Sequence, residues 1–199
     1  ALVKSRWKND SRIVLQEDEY FDGPVDRWNN AQGFGTYYWA DGSSQKGEYK
    51  DGILVSEYET LTYNNGDIFE GNPEGNGVFI ENNGSRSEGE FLNSKKNGQV
   101  TVTFANGNFY EGKFKNDLMH GYGVFTFDEG EVYEGMHEFG LRSGIGSYIE
   151  MDGSKYMGNF KNDMSHGYSE YTSNNDEYGS YKGNYQFDLK NGQGYQWFS

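Results

Sequence analysis

The three histidines are the residues of this chain best suited by type to bind a metal ion or to transfer a proton. His120 and His166 occupy the same position of an internal repeat, two repeats apart. If each repeat contributes two strands, a spacing of ~4.8 Å per strand places them about 20 Å apart. Two ligands at that distance cannot share a metal ion. We therefore predict no metal site, and we expect each histidine to bond within its own turn.

A row of carboxylates is likewise too widely spaced for acid–base catalysis. The acids that directly precede a repeated glycine are Glu70, Glu88, Glu111 and Glu134. One repeat separates each acid from the next, which is too far for a general acid–base pair or a shared calcium site. The glycine-rich stretch "GNPEGNG" lacks the lysine of a phosphate-binding loop. The sequence thus predicts a protein that is not an enzyme and that needs no cofactor, with these acids on a solvated face.

Composition and charge narrow the possible ligands. The 199 residues carry a formal net charge of −14, so the chain repels phosphate backbones and anionic lipids. We expect no nucleic-acid partner and no membrane binding. The basic start "ALVKSRWKNDSR" is typical of a solvated arm. Aromatic residues make up 18% of the chain, which indicates a folded protein rather than a disordered one.

The absence of cysteine excludes a disulfide framework and fits an intracellular protein. No apolar run approaches the ~20 residues of a membrane-spanning helix, and no signal peptide is visible. We therefore expect a cytoplasmic protein. The first residue is Ala1 rather than Met, which is typical of a processed chain or of part of a longer polypeptide.

An internal repeat organises almost the whole chain. Segments such as "YEGKFKNDLMHGYGVFTFDEG" begin at Tyr110, Tyr133 and Tyr156, in steps of 23 residues. The glycines that close the opening triplets are Gly23, Gly47, Gly71, Gly89, Gly112, Gly135, Gly158 and Gly183. They define about eight repeats over residues 21–199, and residues 1–20 are predicted to form an N-terminal arm or cap. The short step from Gly71 to Gly89 predicts a shortened hairpin, with a kink or a flexible point.

Alternation within a repeat indicates strands. Tyr110, Gly112 and Phe114 share one parity, so they lie on one face of a strand. The polar run "KNDLMH" follows as a turn, and a second run with the same alternation completes a β-hairpin. Each ring then needs empty space beside it, which a glycine on the neighbouring strand supplies. The glycines predicted to provide a positive φ in the turns between repeats are Gly42, Gly66, Gly84, Gly107, Gly130 and Gly153.

These residues resemble the MORN repeat family, whose repeats run Tyr-Glu-Gly, then a segment with Phe and Asn, then His-Gly-x-Gly and a closing Asn-Gly or Asp-Gly. The match is close in "YEGKFKNDLMHGYGVFTFDEG" and in "YMGNFKNDMSHGY". It is looser in "QKGEYKDGILVSEYETLTYNNGD". The resemblance implies an all-β fold: an elongated, twisted, single-layer antiparallel sheet of consecutive β-hairpins.

A single-layer sheet cannot cover its own aromatic face completely, so we expect a partner there. The regular repeats should align their rings as a continuous groove, and we expect His137, which replaces a Phe or Tyr, to line it. An aromatic floor suits the apolar face of a helix or an extended segment of another protein. The predicted partner-binding residues are Tyr110, Phe114, Phe125, Phe127, Tyr133, Tyr148, Tyr156, Phe160 and Tyr171.

The function that the resemblance implies is a non-catalytic scaffold within a multi-subunit assembly. Similar MORN proteins occur in the cytoskeleton and in ciliary axonemes, including radial-spoke heads, which predicts that location here. Two alternatives stay open. One is a regulatory module of a larger enzyme (a lipid kinase, a methyltransferase or an exchange factor), and the other is a phosphoinositide-binding linker. Open sheet edges also make self-association an expectation.

Overall fold

The computed structural model describes residues 12–16, 18–175 and 179–198. Every regular secondary-structure element among these residues is a β-strand, and neighbouring strands pair in an antiparallel way. The predicted all-β class is therefore confirmed. The chain divides into two compact units, Ala1–Ser94 and Lys95–Ser199, with nine strands in the described part of each.

The first unit contains the irregular hairpins. Its strands are β1 Arg12–Gln16, β2 Glu19–Asp22, β3 Gly33–Tyr38, β4 Ser44–Lys50, β5 Ile53–Leu54, β6 Glu59–Thr62, β7 Ile68–Gly71, β8 Asn76–Ile80 and β9 Arg86–Leu92. Strand β1, in the stretch predicted as an arm, pairs with β2, and residues 1–11 and 17 lie outside the described residues. Strands β7 and β8 have only four and five residues, so they form the shortened hairpin predicted for this repeat. The kink or flexible point stays a prediction.

The second unit is regular. Its strands are β10 Lys95–Thr103, β11 Phe109–Lys115, β12 Leu118–Thr126, β13 Val132–Glu138, β14 Leu141–Ile149, β15 Lys155–Lys161, β16 Met164–Thr172, β17 Ser180–Gln186 and β18 Leu189–Trp197. Each strand from β10 to β17 pairs with the next one along the chain. From β11 onward, strands of seven and nine residues alternate, so each 23-residue repeat is one hairpin and its connection.

Tight turns close the hairpins because short polar residues there tolerate a positive φ. Asn116 and Asp117 join β11 to β12 with φ of 49° and 67°, and Asn162 and Asp163 do the same between β15 and β16. Two consecutive positive values are the signature of a type I′ turn, whose twist matches that of the flanking strands. The turns between hairpins use glycine instead, and Gly107 has a φ of 91°. All six glycines predicted for these turns have a positive φ.

The two extra residues of each second strand form a bulge. Gly112 pairs with Gly123, but two residues later Phe114 pairs with Met119, four residues back along β12. Gly121 lies inside this bulge with a φ of 78°, a conformation that glycine adopts without strain. The same irregularity recurs in the following three hairpins. Gly121 therefore shapes the backbone, and the side chain beside it is that of Lys113.

Burial alternates along the strands and distinguishes two faces of the second unit's sheet. In β11, Tyr110, Gly112 and Phe114 are buried, whereas Glu111 and Lys113 are exposed. We call the face that carries Tyr110 the ring face and the opposite one the outer face. The periodic acids lie exposed on the face opposite the rings, as predicted.

Candidate functional site

The tyrosine that begins each repeat of the second unit is buried, and its ring packs against glycines of the sheet. A Cβ added to Gly135 or Gly146 would lie 2.5 or 2.6 Å from the Tyr133 hydroxyl oxygen, so a larger residue at either position would displace the ring. The hydroxyl groups of Tyr133 and Tyr156 donate to main-chain carbonyls three residues later, at 2.8 Å in both cases. Burial raises the pKa of Tyr133 to about 12. The predicted pairing of rings with glycines is confirmed.

In the repeat that begins at Tyr156, a serine replaces one of the glycines beside the ring. Opposite Gly158, the neighbouring strand carries Ser169, where the hairpins that begin with β11, β13 and β17 have Gly123, Gly146 and Gly194. The Tyr156 hydroxyl lies 2.6 Å from the Ser169 hydroxyl oxygen, so a hydrogen bond accommodates the extra atoms. Ser169 is itself buried, which makes this pair part of the interior of a thin sheet.

Edge-to-face contacts connect the buried rings into a continuous ladder. The Tyr133 and Phe160 centroids are 5.1 Å apart at 86°, and those of Tyr156 and Phe160 are 4.9 Å apart at 70°. This geometry is the favoured one for aromatic pairs. In spatial order the ladder comprises Phe114, Tyr110, His137, Tyr133, Phe160, Tyr156, Tyr185 and Tyr181.

His137 is a member of this ladder and does not line a groove, contrary to expectation. Its side chain is only 4% exposed and lies edge-on between Tyr110 and Tyr133, at 5.3 and 5.1 Å. Burial is the main cause that lowers the pKa of His137, because a buried imidazolium loses its hydration. The nearby Asp163 carboxylate opposes this effect and the Arg142 guanidinium reinforces it. The imidazole acts here as a neutral ring in the place of a phenylalanine.

A second row of rings on the ring face is only half-buried, and it rests beside the ladder. Phe104 and Phe125 have centroids 5.7 Å apart, Phe125 and Phe127 4.7 Å, and Phe127 and Tyr148 6.0 Å. Tyr171 is half-buried at the equivalent position of the next hairpin. We call Phe104, Phe125, Phe127, Tyr148 and Tyr171 the open row.

The structure divides the nine predicted partner-binding residues into two groups. Tyr110, Phe114, Tyr133, Tyr156 and Phe160 are buried members of the ladder. Phe125, Phe127, Tyr148 and Tyr171 belong to the open row and have surface available for contact. All nine lie on strands of the second unit or directly after them. Their binding of a partner stays a prediction, and the open row is the part of the set that a partner can touch.

Sequence reasoning missed two residues of this face. Phe104 stands one repeat before Phe127, so the 23-residue step would have found it. Arg142 was missed because no signal marked it beyond a charge at a position where Met119 stands one repeat earlier. Its guanidinium carbon lies 5.6 Å from the ring centroid of Tyr148 and 5.2 Å from that of Phe160. Hydrogen bonds to the Asp163 carboxylate and main-chain carbonyl hold it there.

The other two histidines contact rings of the following hairpin, where we expected bonds within their own turns. His120 lies 6.0 Å from the ring of Phe139, and His166 lies 5.6 Å from that of Phe187. Both phenylalanines are turn residues between the strands of a hairpin. Within the described part of the chain, no cluster of histidine, aspartate or glutamate could hold a metal ion. No helix among the described residues could span a membrane.

The class that these observations define is a repeat array of antiparallel β-hairpins, with a ladder of buried rings on one face of the second unit. A family model described as MORN repeat matches residues 27–44, 65–86, 88–109, 110–132, 156–177 and 181–199, more than half of the chain. The chain therefore belongs to the MORN-repeat family. The repeat at residues 133–155 falls between matched ranges, although it forms the same hairpin as its neighbours. Comparison with curated protein sequences gave no match.

Two solved structures illustrate the proteins to which this chain is similar in fold. The TCP domain of SAS-4 from Drosophila melanogaster, in complex with a proline-rich motif of Ana2, is 14% identical, with a TM-score of 0.44. The match covers 73% of this chain and 81% of that one. The TCP10 domain of CPAP from Danio rerio is 13% identical with a TM-score of 0.44, over 76% of this chain and 74% of that one. At this level the likeness concerns the fold alone.

Proposed function

We propose that the chain is a non-catalytic scaffold that binds a segment of another protein on the ring face of its second unit. The open row is the observation that carries this proposal. Four of its five rings pack on the buried clusters of the ring face, and the fifth, Phe127, packs on Phe125 and Tyr148, so they are fixed in place before a partner arrives. Binding then orders few additional side chains, which keeps the entropic cost of association low.

The partner that suits the open row is a polypeptide with apolar side chains. Phe125 and Phe127 contribute only carbon atoms, whereas Tyr148 and Tyr171 add a hydroxyl that can hydrogen-bond to a main chain. Aromatic side chains of this kind are the commonest anchors of protein interfaces. Both a helix with an apolar stripe and an extended segment meet these requirements.

The test begins with the partner that co-purifies with the full chain under native conditions, identified by mass spectrometry and then titrated in pure form. Tyr148→Ala should weaken binding at least tenfold, because the variant removes an exposed ring. Glu111→Ala is the matched control, since it changes an exposed side chain of the outer face. The proposal fails if the control weakens binding as much as Tyr148→Ala does, or if Tyr148→Ala binds normally.

We propose in addition that this complex is a multi-subunit assembly of the cytoskeleton, with the ciliary axoneme as its setting. The resemblance to MORN arrays of radial-spoke heads supports this context. Tagged full-length chain expressed in ciliated cells should then co-localise with axonemal tubulin and resist detergent extraction. A diffuse signal that detergent removes completely would contradict the axonemal setting, while leaving the binding test untouched.

A further inference from the structure

Two phenylalanines occupy turn positions for which their shape is poorly suited. Phe139 and Phe187 are the first residues of their hairpin turns, with φ of 52° and 51°. In the alternate hairpins the same position holds Asn116 and Asn162, with φ of 49° and 50°. Asparagine tolerates this conformation, whereas a bulky side chain is strained in it. The phenylalanines are nevertheless 68% and 51% exposed, so burial does not explain them.

The histidines of the preceding hairpins support these rings. His120 contacts Phe139 and His166 contacts Phe187, with interplanar angles of 59° and 58°. Where the turn residue is Asn116, the corresponding neighbour is Asn97, and the two amides hydrogen-bond at 3.4 Å. In these three turns the turn residue is thus matched to the side chain beside it. The match positions the phenylalanine rings but leaves most of their surface in solvent.

Other apolar side chains lie beside these rings, at the same ends of the strands. The residue after each turn is Leu118, Leu141, Met164 or Leu189, and the three leucines are exposed. We call Leu118, Phe139, Leu141, Met164, Phe187 and Leu189 the turn ridge. Exposed apolar side chains that recur at one place in successive hairpins are typical of a contact site.

The turn ridge does not favour pairing with a strand of a partner. The second turn amides of Asp117, Gly140, Asp163 and Asp188 already donate to carbonyls of the preceding hairpin, at 2.9 to 3.2 Å. A partner must therefore satisfy its own backbone, which a helix does internally. Apolar residues recur once per hairpin, at ~9.6 Å for two strands. Seven residues of α-helix rise by a similar ~10.5 Å.

The positive and negative charges beside the turns are balanced, which indicates that the partner's contact surface is uncharged. The charged residues within two positions of the four turns are Lys115, Arg142, Lys161 and Lys190 on the positive side and Asp117, Glu138, Asp163 and Asp188 on the negative side. They balance, although the whole chain is strongly acidic. Electrostatic attraction is therefore a minor part of binding here, and apolar burial is the main one.

We propose that the turn ridge of the second unit binds an amphipathic helix whose apolar residues recur every seven positions. This surface is separate from the ring face, so the proposal does not depend on the function proposed above. The alternation of phenylalanine with asparagine places the two main anchors four strands apart, or ~19 Å. The helix lies along the turns, with one apolar side chain over each hairpin.

The probe is a fluorescent 28-residue helical peptide of alanine, glutamine, lysine and glutamate with leucine at every seventh position. A control peptide has the same composition with leucine at every fifth position, so that its leucines spiral around the helix. The full chain should bind the first peptide at least tenfold more tightly in an anisotropy titration. Raising the salt from 0.05 to 0.5 M should change its affinity by less than twofold. Equal binding of the two peptides would overturn the proposal.

The decisive variant is Phe139→Asn with Phe187→Asn, which installs the residue that the alternate hairpins carry. Its melting temperature should be unchanged or higher, because asparagine relieves the strained φ. Its affinity for the heptad peptide should fall at least tenfold, while Glu111→Ala, which changes an exposed side chain of the outer face, should bind that peptide normally. A double variant that binds as the wild type does, or one that unfolds because the rings are structural, would contradict the proposal.

Discussion

Tyr133 and Tyr148 face each other across β13 and β14, and their environments differ. Tyr133 has no exposed surface, and its hydroxyl donates a hydrogen bond to the Met136 main-chain carbonyl. Tyr148 is half-buried beside it and contacts Phe127. The pair therefore separates the residue that supports the face from the residue that a partner can reach.

Truncation of Tyr133 should mainly destabilise the fold, whereas truncation of Tyr148 should mainly weaken partner binding. Tyr133→Ala should lower the free energy of unfolding by about 3–5 kcal/mol, because it opens a void under the sheet. Tyr148→Ala should cost less than half of that and act mainly on partner binding. Urea unfolding of the two variants, followed by tryptophan fluorescence, measures the difference. Equal losses of stability would show that Tyr148 is as deeply packed as Tyr133.

The burial of His137 predicts a dependence of stability on pH. Its pKa is lowered in the folded state, so below about pH 6.5 the unfolded chain binds a proton that the folded chain does not. The free energy of unfolding should then decrease as the pH falls, by at most ~1.4 kcal/mol per pH unit. His137→Phe, which introduces the residue found at Phe114 and Phe160, should remove this contribution.

The measurement is urea unfolding of wild type and His137→Phe at pH 7.5 and 5.5. Carboxylates titrate in both proteins, so the difference between their pH dependences isolates His137. The wild type should lose more stability than the variant over this interval, by up to ~1.4 kcal/mol. Identical pH dependences would show that the imidazole is not kept neutral by its burial.

Among the elements, the hairpin turns hold neighbouring repeats together through aspartate. The Asp117 carboxylate accepts a hydrogen bond from the Lys96 amide at 2.8 Å, and the Asp163 carboxylate accepts one from the Arg142 amide at 2.8 Å. Asp188 repeats this contact on Ser165. The hairpin of β13 and β14 has Gly140 at the equivalent position. This repeat is also the one with His137, and the family model does not match it.

Restoring the missing contact should stabilise the second unit. Gly140→Asp places a carboxylate beside the Met119 amide; the φ of Gly140 is 86°, and Asp117 and Asp163 adopt 67° at the same turn position. A Cβ at this position would meet only Leu118, at 3.8 Å, so there is room for it. The free energy of unfolding should rise by about 0.5–1.5 kcal/mol. Thermal unfolding tests this, with Asp163→Gly as the reverse variant; a destabilised Gly140→Asp would contradict the role of the turn aspartates.

Sequence reasoning predicted these elements well and their irregularities poorly. Parity and the 23-residue step found the strands, the glycines under the rings and the positive-φ turns, because each depends on residues close in sequence. Whether a ring is buried depends on the strands on either side of it, which is why Tyr133 and Tyr148 looked alike. The bulge at Gly121 and the ring contacts of His120 also depend on register between strands, which the pattern of one strand does not contain.

At the scale of the whole molecule, the net charge of −14 is the dominant property toward other macromolecules. It predicts that anionic lipid is not a ligand, since a polybasic cluster is the usual requirement. Liposomes with phosphatidylserine or a phosphoinositide, sedimented at physiological salt, should leave the full chain in the supernatant. Co-sedimentation that persists with neutral liposomes would indicate apolar rather than ionic contact. Micromolar binding to the anionic liposomes alone would contradict the prediction.

The strand pairing within the second unit has a consequence for how this protein folds. Each strand from β10 to β17 pairs with its immediate successor in the chain. Sheets are usually slow to form because they join distant parts of a chain, but here the loops to be closed are short. A hairpin can form and then serve as the template for the next, so folding propagates repeat by repeat. During synthesis, each repeat can therefore join the sheet soon after it leaves the ribosome, before the remainder of the chain exists.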